Sequence, residues 1–457
     1  MYSSVHIVIS LLQLTFMTHR FHQLSRNELA ERILRWNYRP FAIAVVLLCL
    51  GVLTPLCVAE NSPKWVASWM AAPCAPASAE PRSEQFQLDG DTVRQIVHLS
   101  IGGLGVRLRF ANTFGTAPLV LRSVHVAKRE KGDAIDSATD KAVTFYGATE
   151  VTIEPGKSVY SDTANLPVEA SSDLAVSFFV PEKLAAPAIH YTALQTSYEA
   201  HGDQAAAASL SESKTTTLWL ILTGVDVATR TAPGTVVALG SSTTDGAHST
   251  PNQNRRWTDD LFARLAAADG ADAPAVLNAG ISGNHVLTDG KGSWGPIWGQ
   301  SAVARFQRDV LGQSGVTSVL IFEGGNDIRQ FGSDAASAQQ LIAGFSLMAR
   351  MAHAHGLKVI VGTITSFEHN NPHEPEDGSW EQVQVAFNRW VRTTKEIDGV
   401  ADFDAAIRDP NHPARLLAAY DSGDHLHPND AGYKAMADSI DLSLFSQAVQ
   451  GSPSGAH

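Results

Sequence analysis

The sequence contains very little cysteine, with three in 457 residues. Cys49 and Cys57 fall in an N-terminal segment with the features of a leader, which leaves Cys74 as the only cysteine of the remaining chain. One cysteine cannot close an internal disulfide, so packing alone must hold the fold. Hydrophobic residues make up 44% of the chain and no long low-complexity run interrupts it, which is typical of a soluble globular protein.

Positive charge is also scarce. The chain has 34 lysines and arginines against 46 acidic residues, a formal net charge of −12, and loss of an arginine-containing leader would make the remainder more acidic. An acidic surface repels phosphate groups, so neither nucleic acid nor an anionic membrane surface is an expected partner.

Residues 1–59 have the pattern of a targeting segment. Five arginines between Arg20 and Arg39 precede an apolar stretch, and Cys57-Val58-Ala59 supplies a cleavage site. The pattern predicts a signal peptide or, if the stretch is not cleaved, an N-terminal membrane anchor. We therefore expect an exported protein, periplasmic or extracellular, that contacts membrane only through an uncleaved leader.

Residues 63–230 favour β-strands. In Val106–Phe110 apolar residues alternate with arginines, which is the period of a half-buried strand, and the alternation recurs over residues 174–180. Glycine and asparagine turns separate such runs, and no long segment has a helical period. This part is predicted to be a β-sandwich accessory domain.

Residues 231–450 change to short apolar strands that alternate with helical stretches, as in a parallel sheet covered on both faces. One helix is predicted over Ser337–His355, with Gly356 ending it. The five predicted strands are Val236–Leu239, Val276–Leu277, Val319–Phe322, Val359–Val361 and Val400–Phe403. The loops at their carboxyl ends are where ligands bind in such sheets.

Three small or polar loops follow the first three strands. They read GSSTTDG with Ser242, NAGISGN with Gly283, and EGGND with Asn326. At one sheet edge they would place a hydroxyl opposite hydrogen-bond donors, which acyl transfer needs where the oxygen of the tetrahedral intermediate becomes charged. Taken alone, the serine loop is more often an ordinary loop with an N-cap, and each of the other two is equally well explained by turn glycines and an asparagine cap.

A fourth loop, DSGDHLHP, follows the fifth strand and contains His427 with Asp424 three residues earlier. A serine hydroxyl becomes nucleophilic when a base takes its proton, and a carboxylate can hold that base in the right tautomer. His425 competes with His427 for the role of base. A metal site formed by Asp424, His425 and His427 is the rival interpretation.

Taken together, the four loops resemble the blocks of the SGNH (GDSL-like) hydrolases, which here read GSSTTDG, NAGISGN, GGND and DHLHP. The resemblance implies a three-layer, flavodoxin-like hydrolase domain with a parallel five-stranded sheet. The preceding part, including Thr92–Gln95 and Ser100–Gly103, is similar to the N-terminal β-domain of a bacterial subgroup of arylesterase-like and xylan-associated esterases.

The resemblance also implies roles for individual residues. Ser242 would be the nucleophile, His427 the base and then the acid, and Asp424 the residue that orients His427. The backbone N–H groups of Ser242 and Gly283 and the side-chain amide of Asn326 would form the oxyanion hole. The aspartate that usually precedes the nucleophile is Ser241 here. Because that aspartate has a supporting role, we expect altered loop packing and retained activity.

The expected reaction is hydrolysis of a carboxylic ester, with a short acyl group such as acetate on a polysaccharide or oligosaccharide, through an acyl-enzyme on Ser242. The expected partner is thus a small-molecule or glycan ester, and no metal or organic cofactor is implied. Two alternatives remain open. The same residues could act on a lipid or thioester, or the chain could be a non-catalytic glycan-binding surface protein.

Overall fold

The computed structural model describes residues 62–77, 88–184, 188–329, 336–368 and 375–445. The predicted leader, residues 1–59, lies outside the described residues. Among those described, no helix combines the length and apolar character that crossing a membrane requires.

The first half of the described chain is built from antiparallel strands, as the sequence predicts. They are β1 (Lys64–Met70), β2 (Asp91–His98), β3 (Val106–Ala111), β4 (Leu119–Lys128), β5 (Lys141–Val143), β6 (Glu150–Ile153), β7 (Ser158–Tyr160), β8 (Asp173–Val180), β9 (Ile189–His190), β10 (Ser197–His201), β11 (Lys214–Thr216), β12 (Trp219–Leu220) and β13 (Leu222–Thr229).

These strands form two larger antiparallel sheets and a small pair. In the described residues the order is β1-β13-β3-β7 in one sheet and β11-β10-β2-β8-β4-β5 in the other, with β6 pairing β4, while β12 pairs β9. Phe110 of β3 and Phe178 of β8 meet edge to face between the two larger sheets, with ring centroids 5.5 Å apart. Both rings are fully buried, so the apolar faces of the sheets share one core.

The second half contains the predicted parallel sheet. Its strands are β14 (Thr235–Gly240), β15 (Ala275–Gly280), β16 (Val316–Phe322), β17 (Lys358–Gly362) and β18 (Gly399–Ala401). Their spatial order is β15-β14-β16-β17-β18, and all neighbours are parallel. Every residue of β14 is buried, which fits a central strand covered on both faces. The predicted flavodoxin-like fold is confirmed.

Helices connect and cover these strands. They are α1 (Ser242–Asp245), α2 (Trp257–Asp269), α3 (Gly295–Trp298), α4 (Ala302–Phe306), α5 (Gly325–Ile328), α6 (Ala338–Ala354), α7 (Ser379–Thr393), α8 (Phe403–Ile407) and α9 (Asp430–Asp438), with 3₁₀ turns at Gly270–Asp272 and Leu442–Phe445 and a π-helical turn at Gln307–Leu311. The predicted helix over Ser337–His355 is α6, which Ser337 caps by accepting the N–H of Gln340.

The strand-rich and α/β parts pack together within one compact unit, Pro63–His457. Ala67 of β1 donates its N–H to the carbonyl of Ser314, and Arg107 of β3 donates to the hydroxyl of Ser314. The domain boundary that the sequence suggests near residue 230 stays a prediction. Cys74 is a buried free thiol, and burial raises its pKa to about 12, so it is a packing residue rather than a reactive one.

Candidate active site

The loops with the predicted site residues begin side by side. In the sheet register Gly240 lies opposite Gly280 on one side and Phe322 on the other, so three neighbouring strands end at one level. A side chain at Gly240 would clash, because an added Cβ would lie 2.4 Å from the carbonyl oxygen of Phe322. The glycine therefore lets the chain turn tightly into α1, whose first residue is Ser242.

A buried arginine fixes the ends of two of these strands. Arg305 of α4 donates to the carbonyls of Gly240 and Ala279, at 3.0 and 2.7 Å, and to the side-chain oxygen of Asn284 at 3.0 Å. Its charge is balanced by Asp309, 3.2 Å away and equally buried. The guanidinium thus satisfies carbonyls at the strand ends and limits movement of the loops that carry the site.

Ser242, His427 and Asp424 form a hydrogen-bonded series. Nε2 of His427 lies 2.8 Å from Oγ of Ser242, and Nδ1 of His427 lies 2.5 Å from Oδ2 of Asp424. The serine and the histidine are 185 positions apart in the sequence. The structure therefore brings together the three residues that the sequence singled out, in the arrangement that activates a serine hydroxyl.

The Asp424 carboxylate is held by its own loop. Its Oδ1 accepts the backbone N–H groups of Leu426 and His427 at 2.9 and 2.8 Å, which leaves Oδ2 directed at the imidazole. Partial burial raises the pKa of Asp424, but hydrogen bonds from the side chain and backbone of His427 outweigh it and hold the pKa well below the usual range. Asp424 is therefore ionised.

His425 does not join this series. Its Nδ1 lies 2.6 Å from Oδ2 of Asp421, and its side chain is 59% exposed. The structure thus separates the two histidines of the motif into two pairs. His427 faces the serine, while His425 belongs to a surface pair with Asp421, so the rival metal site built on His425 has no geometric support.

The predicted oxyanion donors lie beside Ser242, and all three line the same cavity. The backbone of Gly283 has φ +82°, a conformation that favours glycine. The side-chain amide of Asn326 donates to the carbonyl of Asn284 at 2.8 Å, and its oxygen accepts from Arg329 at 2.8 Å. By binding the oxygen of the Asn326 amide, Arg329 fixes the orientation of that amide and so the position of its NH₂ group. Nothing in the local sequence suggested this role for Arg329.

The cavity at Ser242 has a volume of about 460 Å³ and draws its walls from both parts of the chain. The α/β part contributes Ile281, Ile297, Trp298 and Leu426, and the strand-rich part contributes Cys74, His190, Tyr191, Thr192 and Leu194. The walls are mixed, since apolar side chains such as Ile281 and Trp298 stand with polar residues such as Thr192 and His248. The strand-rich part is thus a wall of the site.

His248 is an additional residue at the site that the sequence did not indicate. Its ring stacks on that of His427 with centroids 5.2 Å apart, and its Nε2 lies 3.4 Å from Oδ2 of Asp424. His248, Asp424 and His427 offer ligand atoms within 4.8 Å of one another, so they are the residues that could hold a cation in the described part of the chain. Such a cation would compete with the hydrogen bonds of the series.

The loop that follows β17 lies partly beside the site. Its histidines His369 and His373 lie outside the described residues. Phe367 lines a second cavity that also borders Ser242, while Glu368 pairs with Arg415 at 2.7 Å. Glu368 is therefore engaged in an ion pair with a neighbouring loop.

A parallel α/β sheet with a serine, a histidine and a carboxylate in series at its carboxyl edge defines a class of hydrolytic enzyme. Residues 238–435 match the model of the GDSL-like lipase/acylhydrolase family. This part of the chain is accordingly a domain of that family, and the protein is an ester-cleaving hydrolase.

Solved structures with similarity to the chain include an acetylxylan esterase from Geobacillus stearothermophilus and a GDSL-like lipase from Bacteroides thetaiotaomicron. The first is 20% identical, with 46% of this chain and 93% of that chain covered and a TM-score of 0.34. The second is 21% identical, with 46% and 87% covered and a TM-score of 0.33. No curated protein matches the chain.

Proposed function

We propose that this protein hydrolyses short-chain carboxylic esters through an acyl-enzyme formed on Ser242. The observation that carries the proposal is the series from Oγ of Ser242 through His427 to the carboxylate of Asp424, with distances of 2.8 and 2.5 Å. Such a series supplies a base at the hydroxyl and holds the base in one tautomer.

In the first half-reaction Oγ of Ser242 attacks the ester carbonyl carbon while Nε2 of His427 takes the hydroxyl proton. The negative charge that develops on the carbonyl oxygen is stabilised by the N–H groups of Ser242 and Gly283 and the amide of Asn326. When the intermediate collapses, the bond to the alcohol oxygen breaks and His427 returns the proton to that oxygen.

In the second half-reaction water replaces the serine. His427 takes a proton from water as the oxygen attacks the acyl carbon, and it then protonates Oγ of Ser242 as the acid leaves. The imidazolium that forms twice in each cycle is stabilised by Asp424, which is ionised. The products are one alcohol and one carboxylic acid.

The acyl group is proposed to be small, and Trp298 supports this. Its ring lies so close to Gly283 that a Cβ added there would fall 2.2 Å from Cδ1 of Trp298. The indole thus limits the space beside the carbonyl carbon of a bound ester. The cavity walls also include polar residues such as Thr192, Ser282 and His248, which suit a polar alcohol, so we propose acetyl esters of an oligosaccharide or polysaccharide as the substrate class.

A fluorophosphonate probe and an ester panel test this proposal together. The probe should label Ser242, as located by peptide mass spectrometry, and labelling should need His427. In the panel, p-nitrophenyl acetate and acetylated xylan should be cleaved faster than p-nitrophenyl decanoate. Ester turnover without labelling of Ser242 would contradict the assignment of the nucleophile, and a long-chain optimum would contradict the acyl class and favour lipid esters.

A further inference from the structure

A buried histidine from the strand-rich part reaches the back of the active site. His190, on the short strand β9, has 5% of its side chain exposed, and its Nε2 lies 2.9 Å from Oδ1 of Asp245. Asp245 is 3% exposed and is the last residue of α1, the helix that begins with Ser242. A buried contact therefore joins the strand-rich part to the helix that carries the proposed nucleophile.

The other ring nitrogen of His190 also faces an acceptor. Nδ1 lies 2.9 Å from the carbonyl oxygen of Ala72. A carbonyl and a carboxylate both need a donor, so both ring nitrogens carry hydrogen and the imidazole is a cation. Burial lowers the pKa of His190, but the charge and hydrogen bond of Asp245 and the Ala72 carbonyl outweigh burial and raise it above its ordinary value.

The second oxygen of Asp245 holds the oxyanion loop. Oδ2 accepts the backbone N–H of Ser282 at 2.9 Å and its hydroxyl at 2.7 Å. Ser282 directly precedes Gly283, whose N–H is a proposed oxyanion donor. Ser282 is also bound by Thr192 of the strand-rich part, whose hydroxyl group donates to the hydroxyl group of Ser282 at 3.0 Å. One carboxylate thus connects the nucleophile helix, the oxyanion loop and the strand-rich part.

We propose that His190 is a positioning residue for ester hydrolysis: it orients Asp245, which sets the Gly283 N–H relative to Ser242. The strand-rich part then completes the active site instead of serving only as an accessory domain. This inference rests on the proposed function of Ser242. An oxyanion donor acts only when it is placed correctly, so a small shift of the Ser282–Gly283 loop lowers turnover while substrate binding changes little.

Two substitutions at His190 separate its two hydrogen bonds. The amide nitrogen of Gln lies near the position of Nε2, so His190→Gln keeps a donor to Asp245 and loses the one to Ala72. The amide nitrogen of Asn lies near Nδ1, so His190→Asn keeps the bond to Ala72 and loses the one to Asp245. A matched control is the His125–Asp140 pair in the same part of the chain, 2.9 Å apart, substituted in the same two ways.

The readouts are kcat for p-nitrophenyl acetate per active site titrated with a fluorophosphonate, KM and the melting temperature. We expect His190→Asn to lower kcat at least about tenfold with KM within about twofold, because loss of oxyanion stabilisation acts on kcat. His190→Gln should retain most of kcat, and both His125 variants should match the wild type. If His190→Asn does not fold, Ser282→Ala replaces it, and kcat should fall by about threefold or more because one donor to Asp245 is lost.

Equal kcat per titrated site in His190→Asn and His190→Gln would overturn the positioning role, and so would wild-type kcat in Ser282→Ala. A fall in the fraction of titratable sites with unchanged kcat per site would indicate a purely structural role and would also overturn it. Failure of the proposed function looks different, because Ser242→Ala would then retain turnover in an otherwise unchanged chain.

Discussion

The indole ring of Trp298 lies directly against Gly283. A Cβ built on Gly283 would fall 2.2 Å from Cδ1 of Trp298, and the backbone there has φ +82°. The absence of a side chain at Gly283 therefore serves two purposes. It permits a left-handed backbone conformation, and it lets the indole ring pack against the same peptide group.

Substitution of Gly283 by alanine should therefore impair catalysis. We expect kcat for p-nitrophenyl acetate to fall about 10²- to 10³-fold, because the indole and the donor peptide cannot both keep their places. Gly356→Ala is the matched control, since Gly356 also has positive φ but an added Cβ would meet no atom within 4 Å. Equal kcat values in the two variants would show that the Gly283 peptide is not an oxyanion donor.

Trp298→Ala should change the choice of acyl group. Removal of the indole opens the cavity beside Gly283, so kcat/KM for p-nitrophenyl hexanoate should rise relative to that for the acetate, by about tenfold or more. The measurement is the ratio of the two kcat/KM values. Trp294→Ala, in the same segment but with a 41% exposed side chain, should leave the ratio unchanged. An unchanged ratio in Trp298→Ala would mean that the acyl group does not bind beside Trp298.

Asp424→Asn should slow catalysis strongly while leaving the fold intact. An amide in place of the carboxylate can present N–H to Nδ1 of His427 and favour the wrong tautomer, so kcat should fall about 10²- to 10⁴-fold. Asp421→Asn, in the same loop and beside the exposed His425, provides the control and should keep kcat within about threefold of wild type. An equal loss of kcat in Asp424→Asn and Asp421→Asn would contradict the specific role of Asp424 in orienting His427.

The fold could be predicted largely because the parallel strands are buried on both faces. Such strands appear as short apolar runs, and β14 to β17 lie where those runs predict them. The fifth strand was predicted to reach Phe403 but ends at Ala401. The reason is Asp402, whose side chain accepts the N–H of Ala405 and starts α8, so Phe403 is helical.

The site was predicted only in part, because only some of its residues stand in a local sequence pattern. Ser242, Gly283, Asn326, Asp424 and His427 stand in short motifs after strands, where sequence spacing carries information. The residues that hold these five in place do not stand in such motifs. His190 stands among apolar residues and meets Asp245 across 55 positions, and His248 meets Asp424 only through loop packing. Contacts of this kind depend on the tertiary fold and leave no local pattern.

Glu323 should make stability depend on pH. It is 2% exposed, and burial raises its pKa well above the ordinary value, with the charge of Arg305 opposing this and that of Asp327 adding to it. The folded state then binds the proton more tightly than the unfolded state, so stability falls as pH rises from the unfolded pKa toward the folded one. The steepest slope for one group is about 1.4 kcal/mol per pH unit.

Glu323→Gln removes that titration. Its melting temperature should exceed that of the wild type at pH 8 by more than at pH 5, since the wild type alone loses stability as the carboxyl ionises. Glu396→Gln, at an exposed position, should shift the melting temperature equally at both pH values. A wild-type advantage that grows with pH would mean that the carboxylate is stabilised in the folded state.

The most direct test of the account is turnover by Ser242→Ala. The wild type and the variant are purified in parallel, shown to have the same melting temperature, and assayed with p-nitrophenyl acetate. Because Oγ of Ser242 is the hydroxyl that lies against Nε2 of His427, kcat/KM should fall by at least about 10³-fold. A folded Ser242→Ala variant that keeps wild-type turnover would contradict the assignment of the nucleophile and the mechanism built on it.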